Sequence, residues 1–235
     1  AFFRWREKEL PRLVCQLFGS DPDTIAEAAM RIEQESFFGV DINFGCSAGA
    51  ICRQNCGAAL LKDPSRAEKI VSSVRRAVEI PLFVKFRTGW SDAPGAAVEL
   101  GRRFEGAGAD ALIFHPRVAP DRRSRPPKWD YIGKVKEGVS VPVFGNGDVF
   151  TALDCGSILS RTGCDGVALG RIAAARPWIF SQWTKGESHG PEVFEAAAFR
   201  MAELLAIHFD PDRALRRFKK FAQYFSANFR FGHSL

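Results

Sequence analysis

At 235 residues, 46% hydrophobic, 26% charged and formally +6, the chain is long enough for an α/β barrel core with a small appendage. No run reaches the roughly eighteen apolar residues that a membrane span needs, and the opening Ala1-Phe2-Phe3-Arg4-Trp5-Arg6-Glu7-Lys8 is too charged for a signal peptide, so a cytoplasmic protein is expected. The six cysteines, Cys15, Cys46, Cys52, Cys56, Cys155 and Cys164, are scattered through a chain too large to need disulfide staples, and reduced thiols are expected.

From the N-terminus onward, short β-branched or aromatic runs alternate with longer segments of helical periodicity, as in repeated βα units around a parallel sheet. Strands are predicted at 13–18, 40–44, 82–87, 111–115, 141–145 and 166–170, and helices at 23–35, 65–78, 96–106 and 152–162. Helix-start signals stand at Ser20-Asp21-Pro22, Asp63-Pro64 and Asp92. Six strands do not close an eight-stranded barrel, and an open parallel sheet leaves edges exposed. The expected fold class is therefore α/β, a (β/α)8 TIM-type barrel lacking its first two βα units, each of roughly 25 residues, ahead of Ala1. After Trp178-Ile179-Phe180 the strand rhythm stops, a Gly/Ser/His/Pro linker covers 185–191, and helices follow at 192–208 and 212–229, with Asp210-Pro211-Asp212 as break and N-cap. The expected domains are an N-terminally incomplete barrel at 1–184 and a small C-terminal helical domain at 185–235.

Asn43, Lys85, Arg87, His115, Arg117, Asn146, Asp148 and Arg171 sit at or just past predicted strand C-termini, with Gln16 slightly earlier. That is the end at which an α/β barrel keeps its chemistry. Gly145-Asn146-Gly147-Asp148 and Gly170-Arg171 follow the last two strands, where barrels often hold a phosphate on backbone N–H groups; the other reading is tight βα turns. Lys85 interrupts an apolar strand and needs an anionic or acceptor partner. The edge of a flavin ring near its nitrogen 1 is one such partner and a barrel neighbour is another; the same two choices apply to Gln16. Cys46, just past a strand in Asp41-Ile42-Asn43-Phe44-Gly45-Cys46-Ser47, is either a core residue or a protonated thiol placed as a general acid. The spacing of Cys46, Cys52 and Cys56 matches no common zinc or iron–sulfur pattern, so no metal is expected. His115 could meet a cofactor or a substrate ring. Two basic clusters, Arg117, Arg122, Arg123, Arg125 and Lys128, and Arg213, Arg216, Arg217, Lys219, Lys220 and Arg230, are either solvated faces or contacts for a polyanion.

Taken in order, these stretches resemble the tRNA-dihydrouridine synthase family. The matching segments are Gln16-Leu17-Phe18-Gly19-Ser20-Asp21-Pro22, Asp41-Ile42-Asn43-Phe44-Gly45-Cys46, Ala58-Ala59-Leu60-Leu61, Val84-Lys85-Phe86-Arg87-Thr88-Gly89-Trp90, Gly145-Asn146-Gly147-Asp148, and Thr162-Gly163-Cys164-Asp165-Gly166-Val167 running into Gly170-Arg171 and Pro177-Trp178-Ile179-Phe180. The resemblance implies an enzyme that binds FMN, takes electrons from NADPH, and reduces uridines in tRNA to 5,6-dihydrouridine. It implies Cys46 as proton donor to carbon 5, Asn43 as a uracil contact, and Gln16, Lys85 and His115 as flavin contacts. It further implies Asn146, Gly147, Asp148, Gly170 and Arg171 at the phosphate end, and Arg117 beside the substrate. The basic clusters then face tRNA, whose target base must be extruded to react. Departures from the family pattern are Ser47 for Pro, Ala50 for Lys, Asn55-Cys56-Gly57 for a Gly-x-Gly turn and Val118 for Thr; the family's front Ala-Pro-Met segment, which lines the flavin, has no counterpart. Two other readings stay open: a non-catalytic tRNA-binding relative, and a different FMN barrel dehydrogenase acting on a small pyrimidine.

Overall fold

The computed structural model describes residues 5–121 and 125–229. The basic residues Arg122, Arg123 and Arg230, and the first four residues of the N-terminal segment, lie outside the described residues. The chain divides into two compact units, Ala1–Asp148 with Cys155–Ala168, and Val149–Asp154 with Leu169–Leu235.

The first unit holds six strands: β1 (Val14–Leu17), β2 (Gly39–Phe44), β3 (Leu82–Gly89), β4 (Ala111–Val118), β5 (Val143–Asn146) and β6 (Gly166–Ala168). All pair in parallel, in the order β1-β2-β3-β4-β5-β6. Sequential order without reversal is the order of a barrel and not of a doubly wound sheet. The helices α1 (Pro22–Gln34), α2 (Gly49–Cys52), α3 (Pro64–Ala77), α4 (Pro94–Gly106), α5 (Asp130–Gly138) and α6 (Ala152–Thr162) fall between the strands. The long ones pack side by side, α1 on α3, α3 on α4 and α4 on α5, as one helical layer over the sheet.

Period-two alternation decides which residues meet that layer. Val40, Ile42 and Phe44 on β2, Leu82, Val84 and Phe86 on β3, and Leu112, Phe114 and Val143 beyond them are all fully buried. Phe44, Phe86, Phe104 and Phe114 form a ring cluster there, with centroids 4.8 to 5.3 Å apart. Asp21 and Asp63 cap α1 and α3, each accepting a backbone N–H three residues on and each followed by proline at the first helical position.

Two expectations need correction. Asp92 does not cap α4, whose N-cap is Ala93 without a side-chain bond; Asp92 instead accepts from Lys128 and from the Tyr131 hydroxyl. The predicted fifth strand starts two residues late, at Val143, because Pro142 has no N–H to give the ladder and contributes only its carbonyl, to Leu112 N. Helix α5 adds to the helices named from the sequence. In the fold Gly133 lies against α6, where a Cβ would stand 3.4 Å from the Thr162 carbonyl oxygen, so a small residue serves the close approach.

The second unit contains α7 (Arg171–Ala175), α8 (Ile179–Lys185), α9 (Glu192–His208) and α10 (Pro211–Phe225). Ile172, Ala175 and Ile179 are its buried cluster, with Leu169, Trp183 and Tyr224 packed on it. Helix α9 has the predicted bounds, and Asp210 caps α10 through Arg213 N. The last predicted helix ends early, at Phe225, and continues only as the single 3-10 turn Ser226–Asn228. Asn228 is held there by Arg176 Nε and the Ala175 carbonyl. Among the described residues no helix is long and apolar enough to cross a membrane.

Candidate active site

The face of the sheet turned away from the helices carries the polar residues, and the strand register fixes their order. Gln16 stands opposite Asp41, Asn43 opposite Lys85, and Arg87 opposite His115. Asn146 continues the row on β5 and donates through Nδ2 to the Ala168 carbonyl on β6 at 2.6 Å. Gln16, Asn43, Lys85, His115 and Asn146 therefore come together on one face, at or near strand C-termini, as the sequence predicts.

Cys46 begins the loop after β2 and is half-buried. Asn43 builds that loop: its Oδ1 accepts from both Gly45 N and Cys46 N, each at 2.9 Å. The Asn43 amide in turn donates to Gln16 Oε1 at 2.7 Å, and Gln16 Nε2 donates to Asp41 Oδ2 at 2.5 Å. Asp41 is only 5% exposed and its second oxygen, Oδ1, has no hydrogen-bond partner. Burial pushes its carboxyl up to about 6, against the opposing pull of the Gln16 bond, the Lys85 charge and the Lys85 backbone N–H.

From β3, Arg87 donates through Nε to the Gly45 carbonyl at 2.8 Å, and Lys85 Nζ lies 3.8 Å from the position a Cβ would take on Gly45. Lys85 is half-buried, and its ammonium makes no hydrogen bond or ion pair among the described residues. Burial lowers its pKa, while the Asp41 carboxylate opposes that shift. The Arg87 guanidinium is also held down by burial and by the like charge of Arg117; its Nη1 is buried without a hydrogen bond.

At the other end of the row, Gly147 (φ +126°) presses so close to His115 that a Cβ would stand 2.9 Å from the imidazole Cδ2. Asp148 follows with φ +51° and pairs with Arg117 Nη2 at 2.5 Å, and Arg117 Nε donates to the Arg125 carbonyl at 2.7 Å. Arg117, 6% exposed, is thus a buried member of an ion pair. Gly170 and Arg171 belong to the second unit, where Gly170 precedes α7 and the Arg171 guanidinium lies 4.8 Å from the Phe150 ring centroid. Among the described residues no three His, Cys, Asp or Glu side chains gather as a metal site would.

Two residues that sequence reasoning left without a role, Asp41 and Arg87, stand at the centre of this cluster. Their signal was the period of two: each is two residues from an assigned one, Asn43 and Lys85, and so shares its face. The loop departures also find an account. Asn55 (φ +55°) and Gly57 (φ +62°) are both left-handed, and asparagine is the side-chain-bearing residue that tolerates this best. Gly57 has no such latitude, since a Cβ there would meet the Cys46 carbonyl oxygen at 2.6 Å.

Among solved structures, 2-naphthoyl-CoA reductase matches 69% of this chain and 28% of its own with a TM-score of 0.56 at 14% identity, a likeness of fold alone. A probable tRNA-dihydrouridine synthase of Mycobacterium tuberculosis is 36% identical over 97% of this chain and 61% of its own length. The tRNA-dihydrouridine synthases B of Pseudomonas putida and Pseudomonas aeruginosa are 35% and 38% identical over 84% and 73% of the chain and 60% and 52% of their own lengths. The chain thus spans about three-fifths or less of the length of these curated relatives. The family model described as dihydrouridine synthase matches residues 2–231, nearly the whole chain, and with the polar row of Gln16, Asn43, Cys46, Lys85 and His115 it leads to one conclusion: this chain belongs to the dihydrouridine synthase family.

Proposed function

We propose that the protein reduces uridines in tRNA to 5,6-dihydrouridine, holding FMN against the polar face of the sheet and drawing its electrons from NADPH. The observation that carries this reading is Lys85, a half-buried ammonium without a hydrogen bond or ion pair among the described residues, beside the loop of Cys46. A cation kept partly from water, within reach of the Asp41 charge but without a hydrogen bond of its own, suits a ligand with an acceptor edge, and the pyrimidine edge of a flavin supplies one. Gln16 and His115 are the further ring contacts in this proposal. Asn146, Gly147 and Asp148 form the phosphate end, where a glycine turn after a barrel strand offers backbone N–H groups.

When bound, the flavin supplies the hydride that adds to carbon 6 of the uracil. Cys46 gives its Sγ proton to carbon 5, so that two hydrogens are added across one ring double bond. Lys85 and Arg87 flank the loop that carries this thiol. Asn43 orients the ring with its remaining amide hydrogen while its oxygen holds the loop. Arg117 serves the substrate side through the Asp148 it holds. The exposed Arg213, Arg216, Arg217, Lys219 and Lys220 of α10 support a polyanionic partner for the 185–235 segment, with 1–184 binding the flavin and two further βα units closing the barrel.

Replacing the proton donor tests the reading. Cys46→Ala is expected to leave flavin and tRNA binding intact while dihydrouridine formation falls by about 100- to 10,000-fold, the usual worth of a general acid. Dihydrouridine mapped in the tRNA product is the readout, and an unaltered rate removes Cys46 from the chemistry.

A further inference from the structure

The bonds from Asp41 to Cys46 run in one direction only. Backbone N–H groups can only donate, so the Gly45 and Cys46 amides require the oxygen of Asn43 on their side. Asn43 must then turn its NH2 toward Gln16, Gln16 must present its oxygen to Asn43, and the Gln16 NH2 is left facing β2. Whatever stands there must accept. An ionised carboxylate does nothing but accept, and Asp41 fills the position with one oxygen while the other remains without a hydrogen bond. A buried carboxylate that costs desolvation and leaves an oxygen unsatisfied is an expensive way to close a single bond to a neutral amide.

We propose that Asp41 is a positioning residue of the active site, the acceptor that fixes the orientation of the Gln16 and Asn43 amides and through them the conformation in which the loop presents Cys46. The inference rests on the proposed role of Cys46 only for its consequence in catalysis; the effect on the loop stands apart from it. An amide in place of the carboxylate meets a donor conflict in either orientation. With its NH2 toward Gln16, two donors face each other; with its NH2 turned the other way, the donor points into the buried space beside the Lys85 ammonium. Protonation of Asp41 removes the charge beside Lys85 and puts a hydroxyl donor on the oxygen turned away from Gln16, so the network is altered from that side. The charged and titratable groups on this face are Lys85 and Arg87 on β3, His115 on β4 and Cys46 on the loop, with the Arg117 charge acting on Arg87, while β1 contributes the neutral Gln16. Burial brings the Asp41 carboxyl up to about 6, within reach of mild acid.

The test reads the loop directly. In nitrogen-15 spectra of the full chain, the backbone amides of Gly45 and Cys46 should shift together as pH falls from 7.5 to 5. In Asp41→Asn they should be displaced at every pH and no longer titrate. Alkylation of Cys46 by iodoacetamide at pH 7 should change at least threefold in that variant, while Cys155, outside the network, reacts as before. If Asp41→Asn fails to fold, Gln16→Met serves instead, because cutting the middle link should also abolish the titration with Asp41 intact. Loop amides that coincide with the wild type in either folded variant overturn the proposal. Displaced amides with unaltered dihydrouridine formation uphold the positioning and count against Cys46 as proton donor. Lost activity with unmoved amides sinks the positioning role.

Discussion

Along β3, Leu82, Val84 and Phe86 are fully buried, whereas Phe83, Lys85 and Arg87, one residue out of step, are half-buried and belong to the candidate site. On β2 the same alternation sets Val40, Ile42 and Phe44 against Asp41 and Asn43. The two faces obey opposite rules. On the helix face Leu82, Val84 and Phe86 are apolar, with the Phe86 and Phe114 rings 4.8 Å apart between centroids, and Thr88 is the buried polar exception. On the other face a carboxylate and a guanidinium each keep a buried polar atom without a hydrogen bond among the described residues, and the Lys85 ammonium is desolvated beside them. A strand that needed only to fold would not retain such groups, because each lowers stability without a compensating contact. The difference supports the proposed placement of the flavin on the second face.

Adjacent residues on β3 offer the sharpest way to break that comparison. Phe86→Ala removes a ring packed on Phe104 and Phe114 and should destabilise the protein by about 3 to 5 kcal/mol, the range for buried phenylalanine. Lys85→Met, one position away, should leave the denaturation midpoint unchanged or raised, because it relieves a desolvated ammonium, yet weaken flavin binding by at least about tenfold. Denaturant titration and flavin fluorescence read the two effects separately. If Lys85→Met destabilises as much as Phe86→Ala, the division of labour between faces is wrong.

A smaller effect distinguishes the faces by pH. The folded-state pKa of Asp41 is raised from 3.8 to about 6, so the folded protein holds that proton more tightly than the unfolded chain. Its contribution to stability is therefore complete below pH 4 and is lost as pH rises through 6, a change of about 3 kcal/mol for a shift of about two units. The stability of Asp41→Asn relative to the wild type should accordingly grow by up to that amount between pH 4 and pH 8. Taking the difference cancels carboxylates distant from the site, such as Asp154 and Asp165, whose pKa values are lowered and whose pH dependence runs the other way. A difference that stays flat across this range would show that Asp41 is not shifted.

The alternation of buried and polar residues is also why so much of this region could be read without coordinates. All six strands, and the shared end of Gln16, Asn43, Lys85 and His115, follow from period two and from parallel register. What escaped depends on partners distant in sequence. Asp92 looks like an N-cap, but Lys128 and Tyr131, 36 and 39 residues away, claim its oxygens. That Arg117 is buried in an ion pair depends on Asp148, 31 residues on. The importance of Asp41 depends on Gln16 lying opposite it across β1 and β2, which no local pattern encodes.

The loop that joins the two faces allows a finer test, because its two left-handed positions are constrained for different reasons. At Gly57 the constraint is contact, a Cβ meeting the Cys46 carbonyl oxygen at 2.6 Å, and no side chain can satisfy it without moving the residue that carries the thiol. At Asn55, exposed and with φ +55°, the constraint is backbone conformation alone. Asn55→Gly should therefore leave stability within about 0.5 kcal/mol, since easier access to positive φ is offset by the greater freedom of the unfolded chain, while Asn55→Val should cost about 1 to 2 kcal/mol. Neither change should alter the alkylation rate of Cys46 in the folded protein, because the bonds that hold residue 46 come from Asn43 and Ala58 and not from position 55. A Cys46 rate that follows the residue at 55 would mean that the loop's far end, and not the Asp41 network, sets how the thiol is presented.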